Sequence, residues 1–427
     1  MKPTVLLATT ARWFPTTRLA MALAKAGFGV EAVCPAGHTL ARTGAVRRVH
    51  NYRAFTPLAS FANAIITATP DLIIPADDLA TRQLHQLYKR EHDADRQGTR
   101  ICELIEHSLG APESFETVYA RAAFMRIAEE EGIHAPKTEI IADRHDLGKW
   151  ITRMGFPTAL KANGTSGGDG VKIVNTVEEA DRAFRKLQAP PLMARAIKRA
   201  LIDRDPTLVP PSLFRRRFVV NAQAFVAGHE ATSTIACWKG KVLASLHFEV
   251  LKKAASTGHA SVLRLIEHPE MTEASEKIAR RFKLSGLHGL DFMLEAHTGS
   301  AHLIEINPRT TQVGHLALGL ERDLPAALYA ALTGKEIQPA PKITENETIA
   351  LFPQEWARDP KSEFLQSAYH DVPWDEPELI RSCIRKAART ARPPLPGLAA
   401  AISGDRRRSP AVAPSQSSSV RLNCKAE

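Results

Sequence analysis

Cysteine is scarce in this chain of 427 residues, and the few cysteines are widely spread. Cys34, Cys102, Cys237, Cys383 and Cys424 are odd in number and include no CxxC pair. A disulfide framework or a zinc site requires paired or closely spaced cysteines, so the sequence predicts neither. The pattern fits a protein of the reducing cytosol.

Long apolar runs are also missing. The N-terminal segment has an apolar run that is too short for a secretory signal, and it has no small-residue cleavage pattern. No stretch of the sequence approaches the length of a membrane span. We therefore expect a soluble, cytoplasmic protein without a membrane partner.

Excess positive charge is lacking outside the C-terminal tail. The net charge is +10, but ten Lys or Arg and two Asp or Glu follow from Arg381 onward, so the tail holds +8 and residues 1–380 hold +2. A nearly neutral folded part argues against a nucleic-acid surface there. Residues 390–427 are rich in Arg, Pro, Ala and Ser without periodicity, and we expect them to be disordered. Binding of nucleic acid or a membrane by this tail is the alternative.

The first part of the chain has the pattern of an α/β domain. Residues 4–34 are predicted to form strand, helix and strand, and a further buried strand is predicted within residues 70–78. This arrangement predicts a parallel sheet. The loop after the first strand lacks the GxGxxG pattern, so NAD binding is not predicted. Asp77 and Asp78 follow a strand end, where they could contact a substrate or cap the next helix.

A glycine-rich segment at residues 155–174 predicts a strand, a loop and a second strand. Lys161 closes the first strand and could reach a phosphate as a point charge. The loop after it contains four glycines, namely Gly164, Gly167, Gly168 and Gly170. Glycines let backbone N–H groups approach phosphate oxygens closely. The segment is not a P-loop, because GxxxxGK[ST] is absent, and a mobile surface hairpin is the alternative.

The remaining elements are predicted from periodicity. Helices are predicted at residues 114–132 and 316–332, and consecutive antiparallel strands at residues 218–250, with a turn at 239–241. Residues 345–377 contain several aromatics and prolines, and we expect a packed C-terminal extension that covers the core.

Three further features have two interpretations each, and His288 has one. The arginines at residues 215–217 form a solvated face or contact an acidic substrate. The polar loop at residues 257–261 is a plain connection or a contact to an acceptor. His288 is predicted to be an interior histidine, and His315 could line the site or pack elsewhere.

The sequence around Asp291 predicts a hairpin that carries a metal site. An apolar strand contains Asp291, a turn follows, and the second strand contains Glu305 and Asn307, two residues apart and therefore on one face. Three oxygen ligands on a strand pair suit Mg²⁺, which uses one or two carboxylates and completes its octahedron with phosphate oxygens. A solvent-facing polar stripe is the alternative.

Taken in this order, the stretches resemble the ATP-grasp superfamily, in particular its carboxylate–amine ligases such as biotin carboxylase and carbamoyl-phosphate synthetase. The resemblance implies an α/β fold in which a parallel pre-ATP-grasp domain precedes two lobes with antiparallel sheets. The implied domains are residues 1–112 (pre-ATP-grasp), 113–335 (ATP-grasp, with a lid lobe at 137–222 and a metal and phosphate lobe at 223–335), 336–389 (C-terminal extension) and 390–427 (tail).

The resemblance also implies roles for individual residues. Lys161 would contact the nucleotide phosphates, Arg309 would meet the transferring phosphoryl group, and both would be catalytic. Arg121 stands where many members have a first phosphate-binding lysine. The lid is matched by Thr165, Ser166, Gly167, Gly168 and Gly170. The segment with Gln223, Ala224, Phe225 and Val226 would bind the adenine, Glu230 would bind the ribose, and Asp291, Glu305 and Asn307 would bind the metal.

Two positions depart from the family pattern. Arg121 keeps the charge of the usual lysine but not its point-like geometry. Gln223 replaces the usual linker glutamate and so loses an acceptor-only carboxylate.

The implied function is that of a ligase that uses ATP and Mg²⁺, with Mn²⁺ as a substitute. Its substrates would be a small-molecule carboxylate and an amine, and a homodimer is one option for its assembly. The alternatives are a non-catalytic ATP-binding module, a partner of another synthetase, and an ATP-grasp kinase.

Overall fold

The computed structural model describes residues 2–94, 99–163, 170–189, 217–254, 258–336 and 341–390, with side chains up to residue 384. Residues up to Ser382 form one compact unit, and Cys383 begins a second. Within the described residues, the strands form one parallel sheet, one antiparallel sheet, and one mostly antiparallel sheet of seven strands. The α/β fold class predicted from the sequence is confirmed.

The first sheet is parallel and has the strand order β3-β2-β1-β4. Its strands are β1 (Thr4–Ala8), β2 (Gly29–Cys34), β3 (Val46–Asn51) and β4 (Leu72–Pro75). Its helices are α1 (Phe14–Ala26), α2 (Pro57–Ala68), α3 (Asp78–Asp93) and α4 (Arg100–Leu109). Gly27 ends α1 at a φ of +119°, a conformation that favours glycine. The predicted β-α-β opening is therefore confirmed, whereas β3 was not predicted.

The second sheet is antiparallel and has the order β5-β8-β6-β7. Its strands are β5 (Thr138–Ile141), β6 (Thr158–Ala162), β7 (Val171–Val174) and β8 (Val220–Ala224), and the helices around it are α5 (Arg121–Glu130), α6 (Arg144–Met154) and α7 (Val177–Gln188). One face packs apolar side chains with those of α6 and α7. Residues paired directly across strands share a face, so Ile140, Asn221, Lys161 and Val171 lie on the opposite face.

The third sheet has the order β13-β12-β9-β10-β11-β14-β15. Its strands are β9 (Gly228–Trp238), β10 (Lys241–Lys253), β11 (Ala260–Ile266), β12 (Gly286–Glu295), β13 (Ala301–Asn307), β14 (Thr348–Leu351) and β15 (Tyr369–Asp371). The helices of this part are α8 (Pro269–Arg281), α9 (Leu324–Thr333), α10 (Gln354–Arg358), α11 (Phe364–Ser367) and α12 (Pro377–Thr390). Its core continues into that of the first sheet, where Tyr329 packs edge-on against Phe28 at 5.2 Å between ring centroids.

Both long predicted helices begin later than the sequence indicates. The helix predicted at residues 114–132 is wrong before Arg121, because residues 112–119 form two short 3₁₀ turns. Those turns let the Phe115 ring stack on His85 at 3.7 Å. The helix predicted at residues 316–332 begins only at Leu324, because Gly319 has a φ of +120° and Asp323 caps the Ala326 N–H at 3.1 Å.

The strands near residue 225 also differ from the prediction. The pattern at residues 218–230 suggests one strand, but β8 ends at Ala224 and β9 begins at Gly228, in a different sheet. The predicted turn at Gly240 is confirmed, with a φ of +83°. Residues 225–227 therefore link the second and third sheets, close to the predicted adenine segment.

The C-terminal extension joins the third sheet instead of only covering it. Strand β14 pairs with β11, and β15 pairs with β14. The buried Asp371 of β15 forms an ion pair with Arg18 of α1, and His315 Nε2 lies 2.7 Å from Asp371 Oδ2. These three residues tie the extension to the first sheet, which gives His315 a packing partner in place of a predicted site role.

Three smaller predictions have mixed outcomes. His288 is an interior histidine, as expected, and its Nε2 lies 2.7 Å from the Ser285 carbonyl oxygen. The loop predicted at residues 257–261 is wrong for Ala260 and Ser261, which lie in β11, while Thr257 is outside the described residues, as are the arginines at 215 and 216. No helix in the described ranges has the length and apolar character needed to cross a membrane. The domain boundaries given above stay predictions.

Asp77 joins two neighbouring strands of the first sheet at their carboxyl ends. Its Oδ1 caps α3 by accepting from the Ala80 N–H at 2.8 Å, and its Oδ2 accepts from the Thr10 N–H at 2.6 Å. The hydroxyls of Thr9 and Thr10 also donate to it, each at 2.8 Å. Asp77 is therefore a cap, one of the two interpretations offered by the sequence.

We predict that Asp77→Ala lowers the free energy of unfolding by about 2–4 kcal/mol, because it removes a helix cap and several charge-assisted hydrogen bonds. Chemical denaturation followed by circular dichroism measures the loss. Asp143→Ala is the matched control, because Asp143 caps α6 through the Asp146 N–H at 2.9 Å without joining two strands. Equal losses in the two variants would contradict the prediction.

Candidate active site

The hairpin of β12 and β13 brings the predicted metal ligands together. Asp291 pairs with Glu305 across the two strands, and Gly289 pairs with Asn307, so all four residues share one face. Asn307 Nδ2 donates to Asp291 Oδ2 at 2.8 Å, and the Thr232 hydroxyl donates to Asp291 Oδ1 at 2.9 Å. The predicted hairpin and the common face are therefore confirmed.

Gly289 is required by the crowding on this face. A Cβ atom at this position would lie 2.4 Å from Thr311 Cγ2 and 3.3 Å from Asn307 Cβ. Such contacts would displace the segment after β13, which also carries Arg309. The glycine thus lets the Asn307 side chain lie flat against β12.

Arg121, the first residue of α5, binds one of the two carboxylates. Its NH2 donates to Glu305 Oε1 at 3.0 Å. Its Nε and NH1 atoms are buried and have no hydrogen-bond partner among the described residues. Burial acts to raise the pKa of Glu305, but Arg121, Lys161 and Arg309 more than offset it and hold that pKa below its ordinary value. Arg121 thus has two nitrogen atoms beside Glu305, with three N–H groups, that have no partner among the described residues.

Lys161 extends from β6 on the face of the second sheet opposite α6 and α7. The side chain is only 6% exposed. Burial and the charge of Arg121 lower the pKa of Lys161 to about 8, although Glu305, Asp291 and Glu230 act to raise it. Lys161 of the second sheet is therefore within electrostatic range of the two carboxylates on the hairpin of the third sheet.

Arg309 lies two residues after the end of β13, and its guanidinium group forms hydrogen bonds on several sides. Its NH2 donates to Asn307 Oδ1 at 3.1 Å, and its Nε donates to Asp78 Oδ1 at 3.0 Å. Burial acts to lower the pKa of Arg309, but Asp78, Asp291 and Asp77 together raise it, so the guanidinium is firmly charged. Asp78 thus contacts a predicted site residue, while its own contact with a substrate, one of its two predicted roles, stays a prediction.

The charge balance of the cluster suits a cation and a polyanion. Burial, followed by the nearby Glu305, raises the pKa of Asp291 to about 6, so a cation bound beside this carboxylate would favour its charged form. Within the described residues, no group of three or more His, Cys, Asp or Glu side chains is placed to hold a metal ion alone. Two carboxylates and one amide oxygen fit Mg²⁺ when ligand oxygens complete its coordination.

The structure describes some of the predicted nucleotide-binding residues. The Gln223 amide is buried and donates to the Thr138 hydroxyl at 2.9 Å, and Ala224 ends β8, just before the linking residues Phe225 and Val226. Glu230 Oε1 forms an ion pair with Lys253 Nζ at 2.7 Å. Gly170 closes the hairpin loop through its carbonyl, which accepts from the Ala162 N–H at 2.9 Å. The other lid residues, Thr165, Ser166, Gly167 and Gly168, lie outside the described residues.

Asn221 is a site residue that the sequence analysis missed. It pairs with Lys161 across β8 and β6, and it is fully buried on the same face. Its Nδ2 donates to Asn163 Oδ1 at 2.8 Å, while its Oδ1 has no partner in the described part of the chain. The signal was the alternation of Asn221 and Gln223 in an otherwise apolar strand.

Three solved structures have a similar fold. The biotin carboxylase domain of 2-oxoglutarate carboxylase from Hydrogenobacter thermophilus has a TM-score of 0.55 at 15% identity, covering 78% of this chain and 70% of that one. N5-carboxyaminoimidazole synthetase from Staphylococcus aureus has a TM-score of 0.54 at 13% identity, covering 79% of each chain. L-amino acid ligase from Bacillus licheniformis has a TM-score of 0.51 at 15% identity, covering 79% of each chain. At these identities the likeness establishes a shared fold and nothing further.

The match to a family model covers a shorter part of the chain than the structural comparisons do, and it rests on the sequence. Residues 120–318 match the family described as carbamoyl-phosphate synthase L chain, ATP binding domain. This match agrees with the resemblance found in the sequence. No curated protein matches the chain by sequence.

We predict that the pKa of Lys161 lies near 8 and responds to its two neighbours in opposite directions. Arg121→Gln should raise this pKa, and Glu305→Gln should lower it, because the first removes a like charge and the second an opposite one. NMR titration of ¹³C-labelled lysine measures it, with the resonance assigned by Lys161→Arg. Glu139→Gln, at an exposed position of β5, is the control and should leave it unchanged.

The lowered pKa of Lys161 also affects the stability of the folded protein. The ordinary lysine pKa is 10.5, so Lys161 loses its proton at lower pH in the folded protein than in the unfolded chain. Its contribution to stability therefore rises with pH between about 8 and 10.5 and is constant below that window. A Lys161 resonance that titrates near 10.5 in the folded protein would contradict this account.

Proposed function

We propose that the protein is an ATP- and Mg²⁺-dependent ligase that joins a carboxylate to an amine or a related nucleophile, forming ADP and phosphate. The observation that carries the proposal is the cluster in which Asp291, Glu305 and Asn307 are surrounded by Lys161, Arg121 and Arg309. The family match supports ATP as the substrate. Neighbours of the same fold include an L-amino acid ligase, a synthetase and a carboxylase domain solved with MgADP and bicarbonate.

The metal-binding residues in this proposal are Asp291, Glu305 and Asn307, which would hold Mg²⁺, or Mn²⁺ in its place. Bound there, the ion would offset the charge of the β- and γ-phosphates. The pKa of Asp291, raised by burial and by Glu305, supports a site in which a further cation is favourable.

Each cation of the cluster has a separate role toward the nucleotide. The free Nε and NH1 donors of Arg121 are available to phosphate oxygens, and Lys161 supplies a point charge from the opposite sheet. Arg309 would stabilise charge on the transferring phosphoryl group. A low-dielectric, enclosed site makes such fixed charges more effective than they are in water.

The remaining nucleotide contacts are assigned as the family pattern implies. The backbone of Ala224, Phe225 and Val226 would pair with the adenine edge, and Gln223 would lie beneath it. Glu230 would hold the ribose, and for this it must exchange its Lys253 partner for hydroxyl groups. Thr165, Ser166, Gly167, Gly168 and Gly170 would close over the phosphates and exclude water.

The reaction follows from this arrangement. A carboxylate oxygen attacks the γ-phosphorus, the bond from that phosphorus to the β–γ bridging oxygen breaks, and ADP leaves with the electron pair. The resulting acyl phosphate is attacked at its carbonyl carbon by the amine nitrogen, which forms the C–N bond, releases phosphate and loses a proton. Exclusion of water protects the acyl phosphate from hydrolysis.

The proposal extends to assembly and location. One neighbour was solved as a biotin carboxylase domain dimer, which supports a homodimer here. Cys34, Cys102 and Cys237 carry thiols that form no disulfide, which supports a cytoplasmic location.

We predict that pools of carboxylates and amines, supplied with ATP and Mg²⁺, will stimulate release of both ADP and phosphate above the no-substrate control. Glu305→Gln should lower kcat by about 100-fold or more, because it removes a proposed metal ligand and the partner of Arg121. Glu295→Gln, at the far end of β12, is the matched control and should retain turnover.

The other outcomes identify the alternatives. ADP formation with a phosphorylated product and no free phosphate would make the protein a kinase. Confirmed ATP binding without stimulation by any pool would make it a non-catalytic module and would overturn the ligase proposal.

A further inference from the structure

The segment that carries Arg309 is held by the first sheet through contacts on both sides of the arginine. The Thr310 N–H donates to the Pro75 carbonyl at the end of β4, at 3.2 Å. The Thr81 hydroxyl of α3 donates to the Pro308 carbonyl at 2.9 Å. Asp78, the first residue of α3, lies between these contacts. The carboxyl edge of the parallel sheet thus supports the turn after β13.

The guanidinium of Arg309 has five N–H donors, and the structure shows partners for three of its nitrogen atoms. Nε donates to Asp78 at 3.0 Å, NH1 to the Thr310 carbonyl at 3.1 Å, and NH2 to Asn307 Oδ1 at 3.1 Å. One N–H on NH1 and one on NH2 therefore remain for a ligand. The direction of these two N–H groups depends on the orientation of the guanidinium plane.

Asp78 and Trp13 restrict that plane. The Asp78 contact fixes the Nε side of the group, and the Arg309 Cζ atom lies 5.7 Å from the centroid of the Trp13 ring, within the range of a cation–π interaction. Trp13 is itself in contact with His259, with ring centroids 6.0 Å apart. Arg309 is only 13% exposed, whereas Asp78 is 39% exposed. The partly open carboxylate thus holds a buried cation in one orientation.

We propose that Asp78 is a positioning residue for Arg309, through which the parallel domain completes the phosphoryl-transfer site. The inference rests on the proposed function for the role of Arg309, and on the contacts above for the role of Asp78. With Asp78 in place, the two free N–H groups of Arg309 are aimed at the transferring phosphoryl group. Without Asp78, the Nε of Arg309 must form a hydrogen bond with another partner. The guanidinium then rotates, and its two free N–H groups no longer point at the phosphoryl group.

A double-mutant cycle on turnover tests the proposal. Asp78→Ala should lower kcat by about 10- to 100-fold while the KM for ATP rises only about three- to fivefold, because orientation matters most in the transition state. In an Arg309→Ala background, Asp78→Ala should have less than about a twofold further effect. Asp78→Asn keeps an oxygen acceptor for Nε and should recover much of the loss.

Two further variants separate positioning from general stability. Thr81→Val removes the neighbouring contact to Pro308 without touching Arg309, so it should lower stability with a smaller effect on kcat than Asp78→Ala. Asp93→Ala, at the exposed far end of α3, should change neither. Equal losses of kcat in Thr81→Val and Asp78→Ala would overturn the positioning role.

The same cycle on the affinity for Mg²⁺ and AMP-PNP does not depend on finding a substrate. Asp78→Ala should weaken binding by about threefold or more when Arg309 is present, and should have little effect when it is absent. If the wild-type protein shows no turnover but this coupling is found, the ligase proposal fails and the positioning role stands. If the losses caused by Asp78→Ala and Arg309→Ala are additive in turnover or in binding, the positioning role is overturned. If the wild-type protein does not bind the nucleotide, both the positioning role and the ligase proposal are overturned.

Discussion

The structure depends on the compensation of two neighbouring, partly buried carboxylates, Asp291 and Glu305. Burial disfavours their charged forms, and each also repels the other, which is why the pKa of Asp291 rises to about 6. The compensating cations come from three different elements, namely Arg121 of α5, Lys161 of β6 and Arg309 after β13. Because these elements are far apart in the sequence, the carboxylate pair links the second sheet, the helix before it and the third sheet around one site.

The first sheet also contributes residues to this arrangement. Asp77 joins β1 to β4 and caps α3, and the next residue, Asp78, binds Arg309. The C-terminal extension is attached in a similar way, through the buried ion pair of Asp371 with Arg18. Asp78 thus couples the first sheet to the site, and the Asp371–Arg18 ion pair couples the C-terminal extension to the first sheet.

Local patterns predicted the parts of the site that depend on short stretches of chain. Strict alternation predicted the hairpin with Asp291 and Glu305, and the strand, glycine-rich loop and strand around Lys161 follow from turn chemistry and periodicity. The contact between Asp78 and Arg309 could not be predicted in this way, because the two residues are 231 positions apart and carry no shared local signal. Strands β14 and β15 were missed because a short strand at a sheet edge has little periodicity of its own. The late start of α5 was missed because it reflects packing of Phe115 against His85, a tertiary contact that overrides helical propensity.

The central claim is that the carboxylates and cations of this cluster form a binding site for ATP together with a divalent metal ion. The most direct test is calorimetric titration of ATP into the wild-type protein, with Mg²⁺ present and with EDTA in its place. We expect affinity to be about tenfold or more tighter with Mg²⁺, because ATP alone would meet the charges of Asp291 and Glu305 without a metal ion between them. Equal or tighter binding of ATP in EDTA would contradict this account.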